Sequence, residues 1–489
     1  MFQFLLLSLV AVSSVAWSTY PESDPVQSDR PVSVADRYRE RADRIIAAAL
    51  AGNDAFAKLE HLTLRIGHRL SGSPQLDQAI DWAVAAMKKD GQENVRREPV
   101  MVPHWVRGKE SATLIEPRKS TMQMLGLGGS VGTPPEGITA PVVVVADSDG
   151  LDALGDGAAG KIVLFNKVMP PYDPVRGSRY GETVKYRHIG AALAAERGAV
   201  ACLVRSVTAR SLRSPHTGAM SYRDAKVKIP AAALSVEDAE LIVRLAAAGE
   251  KVVVNLKMEA QTLPDAESAN VIGELRGSTA PDEIIAIGGH IDSWDVGQGA
   301  HDDGAGIVMA MEAIHVLRKL NLIPRRTIRV VLWTNEENGL AGGKAYAIEH
   351  AGELVKHVAA IETDSGGFKP REYSVGCDDP GKQGVAVEQV GEILRLFESK
   401  IGPMTVEAGG DGGADISPMK RADVVLMGHE VHGDTYFDYH HTDADTIDKV
   451  DPLELSQNVA VLATVAYILA DMPERLGSPF GVDAPTGTK

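Results

Sequence analysis

The stretch EIIAIGGHIDSW, at residues 283–294, contains the pattern that decides the fold. Its unbroken apolar run, Ile284–Ile287, is typical of a strand that is buried on both faces, as in a parallel sheet. The run ends in two glycines, and His290 and Asp292 follow almost at once. Because ligands bind beyond the carboxyl ends of such strands, we expect His290 and Asp292 to lie at a functional site.

The same arrangement of an apolar strand followed by polar residues recurs downstream. The run Ile328–Trp333 leads to Glu336 and Glu337. The run Val358–Ile361 leads to Asp364. These repeats predict an α/β fold with a mixed, largely parallel sheet that is flanked by helices.

The length of the chain, 489 residues, is too great for one ordinary core and predicts two or three domains. A block at 115–262 has its own succession of strands and helices and none of the candidate chemical groups, which predicts an inserted domain. We therefore expect residues 34–114 and 263–489 to form one domain around the insertion, with the metal site in the second of these parts.

The N-terminus has the features of an export signal. Residues 1–16 are mostly apolar and end in small residues, which predicts a signal peptide, with a membrane anchor as the alternative. Residues 17–33 are rich in Pro, Ser and Asp and are expected to form a flexible leader. We also predict that no later segment is long and apolar enough to span a membrane. We therefore expect a secreted or periplasmic protein.

Composition argues against one class of partner and against a disulfide framework. The net charge is -16 and no basic patch with interleaved aromatic residues is present, so nucleic acid is not an expected partner. The only cysteines are Cys202 and Cys377. Because Cys202 lies in an apolar run, a small core residue is favoured over a disulfide.

Five imidazole or carboxylate side chains could together hold two metal ions. They are His290, Asp302, Glu337, Asp364 and one histidine of the pair at 440–441. We expect Asp302 to bridge the two ions, because a carboxylate has two oxygens. Nitrogen and oxygen ligands favour catalytic zinc, with manganese or cobalt as alternatives. Without cations, so many carboxylates in one place would repel one another.

Two further residues are expected to assist the chemistry. Glu336 and Glu337 are adjacent, and a division of labour explains the pair: Glu337 binds metal, and Glu336 is the general base that takes a proton from the attacking water. Asp292 is expected to orient the imidazole of His290. A serine nucleophile is not favoured, because Ser293 has no neighbouring base in the sequence.

Each motif also has a simpler interpretation when it is considered alone. His290 and Asp292 could be an ordinary surface pair, and Asp303 could serve only to cap the following helix. The glutamates at 336–337 could end a strand in a solvated turn. The glycine-rich loop at 409–415 lacks the Lys-Ser/Thr that follows in a phosphate-binding loop. The functional interpretation depends on the whole set occurring together.

Four stretches, and their order, resemble peptidase family M28, a family of di-zinc peptidases. They are RLSGSP at 69–74, PHWVRG at 103–108, GHIDSWDVGQGA at 289–300 and NEE at 335–337. The resemblance runs from about residue 35 to the C-terminus. It implies a zinc-exopeptidase fold, a protease-associated domain inserted at 115–262, two zinc ions, small peptide substrates and a possible homodimer. It also implies that the loop at 409–415 lies near the substrate cleft.

The resemblance selects between neighbouring histidines. In the family, the ligand is followed by Ser or Thr and, four residues on, by an acidic residue and then Thr; His441–Thr442 and Asp445–Thr446 match this spacing. His441 is therefore the expected ligand, and His440 is left to line the cleft. His301 stands where the family often has Met, and it is expected to be a bystander.

The family resemblance implies an exopeptidase that acts on dipeptides or short peptides. An aminopeptidase of the same family is the nearest alternative, because the motifs do not decide which peptide terminus is anchored. An acidic pocket would hold a free amine, whereas Arg or Lys would hold a carboxylate. A glutaminyl-cyclase-like acyltransferase is disfavoured by the inserted block, and an inactive binding protein is disfavoured because no ligand is missing.

Overall fold

Strands and helices alternate along most of the chain in the computed structural model, which describes residues 33–210, 212–420 and 424–479. The predicted signal peptide lies outside the described residues, and so does the predicted leader apart from Ser33. The strands are β1 (Glu93–Val106), β2 (Glu110–Glu116), β3 (Ser120–Met122), β4 (Met124–Gly126), β5 (Ile138–Val145), β6 (Ile162–Phe165), β7 (Ala201–Arg205), β8 (Ala231–Leu234), β9 (Val253–Met258), β10 (Gln261–Leu275), β11 (Ala280–His290), β12 (Arg326–Trp333), β13 (His357–Glu362), β14 (Pro370–Gly376), β15 (Thr405–Ala408) and β16 (Val425–Val431). The α-helices are α1 (Val34–Ala51), α2 (Asp54–His61), α3 (Pro74–Lys89), α4 (Ser148–Leu154), α5 (Lys185–Glu196), α6 (Val236–Ala247), α7 (Ala305–Lys319), α8 (Ala341–Glu349), α9 (Pro380–Leu394), α10 (Tyr436–Tyr439) and α11 (Pro452–Asp471).

The main sheet has eight strands in the order β1-β10-β12-β11-β13-β16-β14-β15. Its four central strands, β12, β11, β13 and β16, run parallel, and Ile285 of β11 pairs in register with Ile328 and Ala359. Antiparallel pairs occur toward the edges, at β1/β10, β10/β12 and β14/β16. The predicted α/β fold with a mixed sheet is confirmed. The central strands, where the apolar runs lie, are parallel, and so is the edge pair β14/β15.

A layer of helices covers one side of the main sheet. Helices α1, α7 and α11 pack on one another, and α7 and α11 also contact the central strands β11 and β12. Each contributes apolar side chains that are fully buried, such as Ile45, Ile314 and Val461. Burial on this scale holds the central strands in place, so that the residues at their carboxyl ends have fixed positions.

Helix α11 departs from one expectation drawn from the sequence. Its 20 residues are long and apolar enough to cross a membrane by length and composition, so the prediction that no later segment has these properties is wrong. However, 83% of its most apolar window is buried inside the protein, where α11 packs against α1 and α7. Packing in the core therefore accounts for its apolar composition.

A second sheet of eight strands is formed by the middle of the chain, in the order β3-β2-β9-β5-β6-β7-β8-β4. It begins at Glu110 and ends at Met258, a few residues before the limits expected for the insertion at 115–262. The long pair β1/β10 flanks it, with Val106 opposite Gln261. Within it, Cys202 of β7 is fully buried and is a free thiol, as the sequence predicts.

Candidate active site

His290 is the last residue of β11, and its ring is buried at the end of the main sheet. The two preceding glycines are required by close packing, because a Cβ on Gly288 would lie 1.8 Å from the carbonyl oxygen of Val331 and one on Gly289 would lie 1.9 Å from a carboxylate oxygen of Asp303. The glycines therefore let the strand reach the site without displacing its neighbours.

The ring of His290 is oriented by a main-chain group. Nδ1 lies 3.0 Å from the carbonyl oxygen of Asp292. A hydrogen on Nδ1 donated to this oxygen leaves the lone pair of Nε2 free, as metal binding requires. Nε2 in turn lies 3.1 Å from Asp302 Oδ1 and 3.5 Å from Asp364 Oδ1. These three side chains thus converge on one point.

Asp292 acts through atoms that the sequence did not predict. Its carboxylate Oδ1 is 3.7 Å from His290 Nδ1, within ion-pair distance as the sequence predicts, but the main-chain carbonyl oxygen is the closer acceptor at 3.0 Å. The carboxylate instead accepts from the main-chain N–H of Glu336 at 3.0 Å and of Glu337 at 3.4 Å. Asp292 therefore fixes the turn that carries both glutamates.

Asp302 lies between two imidazoles. Its Oδ1 faces His290 Nε2, and its Oδ2 is 3.3 Å from His441 Nε2. Oδ2 is buried and accepts no hydrogen bond from any described group. The neighbouring Asp303 has a separate task, since it accepts from the main-chain N–H of His290 at 3.0 Å and of Gly306, in the first turn of α7, at 3.1 Å. The capping role of Asp303 is therefore compatible with the metal-binding role that is expected for Asp302.

Glu337 and His441 form the other half of the cluster. Glu337 Oε2 is 3.1 Å from His441 Nε2, and Glu337 Oε1 accepts from the main-chain N–H of Trp294 at 3.0 Å. Nδ1 of His441 lies 3.2 Å from the carbonyl oxygen of Thr217. As for His290, a hydrogen on Nδ1 would leave Nε2 directed at the carboxylates.

The two neighbouring histidines differ in distance to the acids. His440 Nε2 is 3.8 Å from Asp302 Oδ2, and its ring stacks on that of His441 with centroids 3.5 Å apart. Asp302, His440 and His441 are close enough to one another to hold one ion, so both histidines stand near the site. His441, which is closer to Asp302 and also faces Glu337, has the better position for a ligand.

Burial and neighbouring charges shift the pKa values of the cluster. Burial raises the pKa of Glu336 well above its ordinary value, and burial together with the charge of Asp302 raises the pKa of Glu337 to about 7. Burial alone would lower the pKa of His441, but the charges of Glu337 and Asp302 raise it to about 9. An uncompensated set of buried carboxylates is unstable. The buried, unpartnered oxygen of Asp302 and the mixed nitrogen and oxygen donors therefore fit a pair of metal ions.

Three residues that support the cluster were not singled out as functional from the sequence. Asp445 accepts from the main-chain N–H of His301 at 2.8 Å and of Asp302 at 3.2 Å. Arg69 is fully buried and donates to the main-chain carbonyls of Ile291, Gln298 and Gly299. Thr217 donates its main-chain N–H to the carbonyl oxygen of His441 at 3.0 Å. Arg69 and Asp445 do lie within the quoted motifs, which is the signal that could have identified them.

His301 occupies a structural position. Its Nδ1 accepts from the main-chain N–H of Gly367 at 3.1 Å, and its ring stacks between Phe368 and Tyr439. Burial lowers its pKa to about 4, which keeps the ring neutral. These contacts agree with the interpretation of His301 as a bystander.

The glycine-rich loop at 409–415 packs behind the end of β13. A Cβ on Gly413 would lie 2.2 Å from the carboxyl carbon of Glu362, so the loop lies directly against that side chain. Glu362 accepts from the main-chain N–H of Asp415 at 3.3 Å and of Ile416 at 3.0 Å. The loop thereby supports the strand end that precedes Asp364.

Residues of the block at 115–262 contact the loop that carries His441. Thr217 contacts His441 through both of its main-chain polar atoms. Arg187 of α5 places Nη1 3.4 Å from His441 Nδ1. Tyr180 stacks on Phe437 with ring centroids 4.8 Å apart. The block supplies none of the candidate ligands, but chain folding brings these distant residues to the loop that carries His441.

Comparison with known proteins places this geometry in context. The sequence family described as Peptidase family M28 matches residues 270–466. Carboxypeptidase Q of Mus musculus is 42% identical over 447 residues, which cover 90% of this chain and 91% of that protein. Carboxypeptidase Q of Homo sapiens is 41% identical over 443 residues, which cover 89% and 90% respectively.

Solved structures give the same picture for the fold. The crystal structure of a Peptidase M28 precursor from Shewanella amazonensis SB2B superposes with a TM-score of 0.85 at 36% identity, covering 90% of this chain and 98% of that one. A zinc aminopeptidase from Bacillus subtilis superposes with a TM-score of 0.62 at 21% identity, covering 86% of this chain and 94% of that one. The second likeness concerns the fold alone.

Proposed function

This chain belongs to peptidase family M28 and is a metallo-exopeptidase, and from that premise we propose that it is an exported di-zinc enzyme that hydrolyses dipeptides or short peptides. The ligands in this proposal are those expected from the sequence. His290 and Asp364 would hold one ion, Glu337 and His441 would hold the other, and Asp302 would contribute an oxygen to each.

The observation that carries the proposal is the position of Asp302 between two imidazoles. Its two oxygens lie 3.1 Å from His290 Nε2 and 3.3 Å from His441 Nε2. Both rings have their Nδ1 atoms next to main-chain carbonyls, of Asp292 and Thr217. The tautomer that these carbonyls favour directs both Nε2 lone pairs toward the bridging carboxylate, which is the arrangement that a two-metal site needs.

Glu336 is the proposed general base. Two bound zinc ions would polarise the scissile carbonyl and lower the pKa of water held at the site. Glu336 takes a proton from the attacking water and then delivers it to the leaving amine. The main-chain hydrogen bond from Glu336 to Asp292 holds this residue at the edge of the cluster, where it remains half-buried. No covalent intermediate with the protein is involved.

The relatives named carboxypeptidase Q support an exopeptidase of that type. They are 41–42% identical to this chain over about nine tenths of its length. The aminopeptidases with a similar fold are more distant, and the zinc aminopeptidase from Bacillus subtilis is only 21% identical. A dipeptidase or carboxypeptidase activity is therefore proposed ahead of an aminopeptidase activity.

Export, domain organisation and assembly complete the proposal. Residues 1–16 are proposed to direct export and to be removed, which N-terminal sequencing of the protein recovered outside the cytoplasm would detect. The second sheet, Glu110 to Met258, is proposed to be a protease-associated domain inserted into the peptidase domain. A homodimer is proposed from the family resemblance, and light scattering on the purified protein measures it.

Metal-dependent hydrolysis of unmodified dipeptides tests the function. The purified protein should release free amino acids from a dipeptide panel, lose this activity after chelation, and regain it when zinc is added. Metal analysis should give two zinc ions per chain in the active protein. Undiminished hydrolysis by protein that is shown to be free of metal would overturn the proposal.

A further inference from the structure

Arg107 is a buried arginine of the motif at 103–108, and its guanidinium is fixed in place. It directly follows β1, is 9% exposed, and places its guanidinium 5.1 Å from the ring centroid of Trp105. The Trp105 ring is itself held, because its Nε1 donates to the carbonyl oxygen of Ser130 at 2.9 Å. The donors of Arg107 therefore point at defined partners.

The partners of Arg107 come from both sheets of the protein. Nε donates to Asp295 Oδ2 at 2.9 Å and Nη2 donates to Asp295 Oδ1 at 2.5 Å, which makes the pair bidentate. Nη2 also donates to the hydroxyl of Thr217 at 3.3 Å, and Nη1 donates to the carbonyl oxygen of Gly126. Asp295 follows β11 of the main sheet, whereas Gly126 and Thr217 belong to the block that forms the second sheet. One guanidinium thus joins the two.

The two side chains that this guanidinium holds each lie beside a support of a proposed metal ligand. Trp294, which precedes Asp295, donates its main-chain N–H to Glu337 Oε1 at 3.0 Å. Thr217 faces His441 with both main-chain polar atoms: its carbonyl oxygen is 3.2 Å from Nδ1, and its N–H donates to the carbonyl oxygen of His441 at 3.0 Å. Movement of the guanidinium would therefore disturb Glu337 and His441 together.

Glu337 and His441 line a small cavity together with Asp302. Its volume is about 10 Å³, and Trp294 forms another part of its lining. This volume is close to that of a single water-sized sphere. We call this cavity the Glu337/His441 site. Its shape depends on residues that the partners of Arg107 keep in place.

The position between His290 and Asp364, which we call the His290/Asp364 site, has separate supports. His290 Nδ1 lies 3.0 Å from the carbonyl oxygen of Asp292, and the main-chain N–H of His290 donates to Asp303 at 3.0 Å. No hydrogen bond or ion pair of the described residues joins the guanidinium of Arg107, or the side chains that it holds, to either ligand of this site. The contacts of Arg107 therefore reach only one of the two sites.

We propose that Arg107 is a positioning residue that keeps the Glu337/His441 site in a geometry that binds zinc, and that the His290/Asp364 site does not depend on it. This inference rests on the proposed two-zinc peptidase. Groups that orient metal ligands commonly change metal affinity by about 10–100-fold when they are replaced. The block that forms the second sheet thereby contributes to metal loading, although it supplies no proposed ligand.

Zinc titration of the purified protein tests the inference directly. Arg107→Lys keeps the charge, but an ammonium group cannot reproduce the bidentate contact with Asp295 and also reach Thr217. We expect one of the two zinc ions to bind about 10–100-fold more weakly than in the wild type, and the other to bind unchanged. Two ions bound with wild-type affinity, or both weakened equally, would overturn the inference.

Single-site backgrounds identify which ion is affected. In Asp364→Asn protein the Glu337/His441 site is the one expected to stay intact, and in Glu337→Gln protein it is the other site. Adding Arg107→Lys should weaken zinc binding to the first protein by about 10–100-fold and leave binding to the second unchanged. The reverse pattern would overturn the inference.

Asp295→Asn is a second variant, and it has nearly the same shape as the wild type. It removes the charge that pairs with Arg107 and leaves the main chain of Trp294 intact. We expect the same selective weakening of one zinc ion, so the inference stays testable if Arg107→Lys does not fold. Wild-type affinity for both ions in Asp295→Asn would overturn it.

Arg326→Lys is the matched control for a purely structural role. Arg326 is 2% exposed, donates to Glu283 at 2.5 Å, and is the first residue of β12, at the opposite end of this strand from Glu337. We expect Arg326→Lys to lower the temperature of thermal unfolding but to keep wild-type affinity for both zinc ions. An equal loss of zinc affinity in Arg326→Lys and Arg107→Lys would indicate a general effect of stability and would overturn the inference.

The wild-type protein separates this inference from the proposed function. If the wild type binds two zinc ions and hydrolyses dipeptides, and the Arg107 and Asp295 variants keep its zinc affinities, the role of Arg107 is overturned and the function stands. If the wild type binds no zinc, the proposed function itself is overturned.

Discussion

The carboxylate of Asp292 accepts a 3.0 Å hydrogen bond from the main-chain N–H of Glu336. Through its carbonyl oxygen, the same residue orients the ring of His290, at 3.0 Å. Asp292 follows β11, whereas Glu336 follows β12, so one residue joins the polar ends of two parallel strands. Asp292 thereby positions both His290, the proposed ligand, through its main-chain carbonyl and Glu336, the proposed base, through its carboxylate.

Asp292→Asn should weaken this arrangement without removing it. The amide keeps one oxygen that can accept a hydrogen bond, but it loses the charge and one acceptor, so the N–H of Glu337 or of Glu336 is left without its partner. We expect turnover or zinc affinity to fall by about 10–100-fold. Steady-state kinetics and a zinc titration measure the two effects. Wild-type values for both would show that the contact does not position the site.

Glu336→Gln and Glu337→Gln should give different phenotypes. The amide at 336 cannot accept a proton, so turnover should fall by about 10²–10⁴-fold while two zinc ions stay bound. The amide at 337 removes a charged ligand beside His441, so zinc content should fall together with activity. Metal analysis of both proteins makes the comparison. If Glu336→Gln lost zinc and Glu337→Gln kept both ions, the roles would be reversed.

The sequence predicted the site best where the residues follow apolar strands. His290, Glu337 and Asp364 all stand at or just beyond the carboxyl ends of central parallel strands, where the sheet itself brings them together. Hydrophobic periodicity is sufficient to locate such strands, and the rule that ligands bind at their ends supplies the rest.

The approach of residues from the block that forms the second sheet could not be predicted in this way. Arg187 and Thr217 reach His441 across more than 200 positions of sequence, and neither belongs to a local motif. Their proximity depends on how the two sheets pack. The hydrogen bond from His290 to the carbonyl oxygen of Asp292 was also missed, because residue types do not reveal whether a main-chain or a side-chain oxygen is the closer acceptor.

His441→Ala should lose zinc, whereas His440→Ala should keep it. His441 Nε2 lies within 3.3 Å of both Asp302 and Glu337, but His440 Nε2 approaches only Asp302, at 3.8 Å. The loss of one ligand should lower both the zinc content and the rate in His441→Ala. His440→Ala should at most lower turnover. Two bound zinc ions in His441→Ala and fewer in His440→Ala would show that His440 is the ligand.

Acid should destabilise the protein partly through His429, which is not one of the expected metal ligands. Burial lowers the pKa of His429 to about 4, and its ring nitrogens lie 2.9 Å from the hydroxyl of Tyr373 and 2.8 Å from Asn458 Oδ1. Below an unfolded pKa of about 6.5 the unfolded chain binds a proton that the folded protein does not, so the free energy of unfolding falls as the pH drops toward 4. From pH 6.5 to 5 the fall in the free energy of unfolding amounts to about 2 kcal/mol for one histidine.

Urea unfolding of His429→Gln should therefore show a smaller loss of the free energy of unfolding between these pH values than the wild type. His350→Gln is the control, because the neighbouring Glu98 outweighs burial and raises the pKa of His350, so removal of that ring should not reduce the loss. The same acid-dependent loss in His429→Gln as in the wild type would contradict a neutral, buried His429.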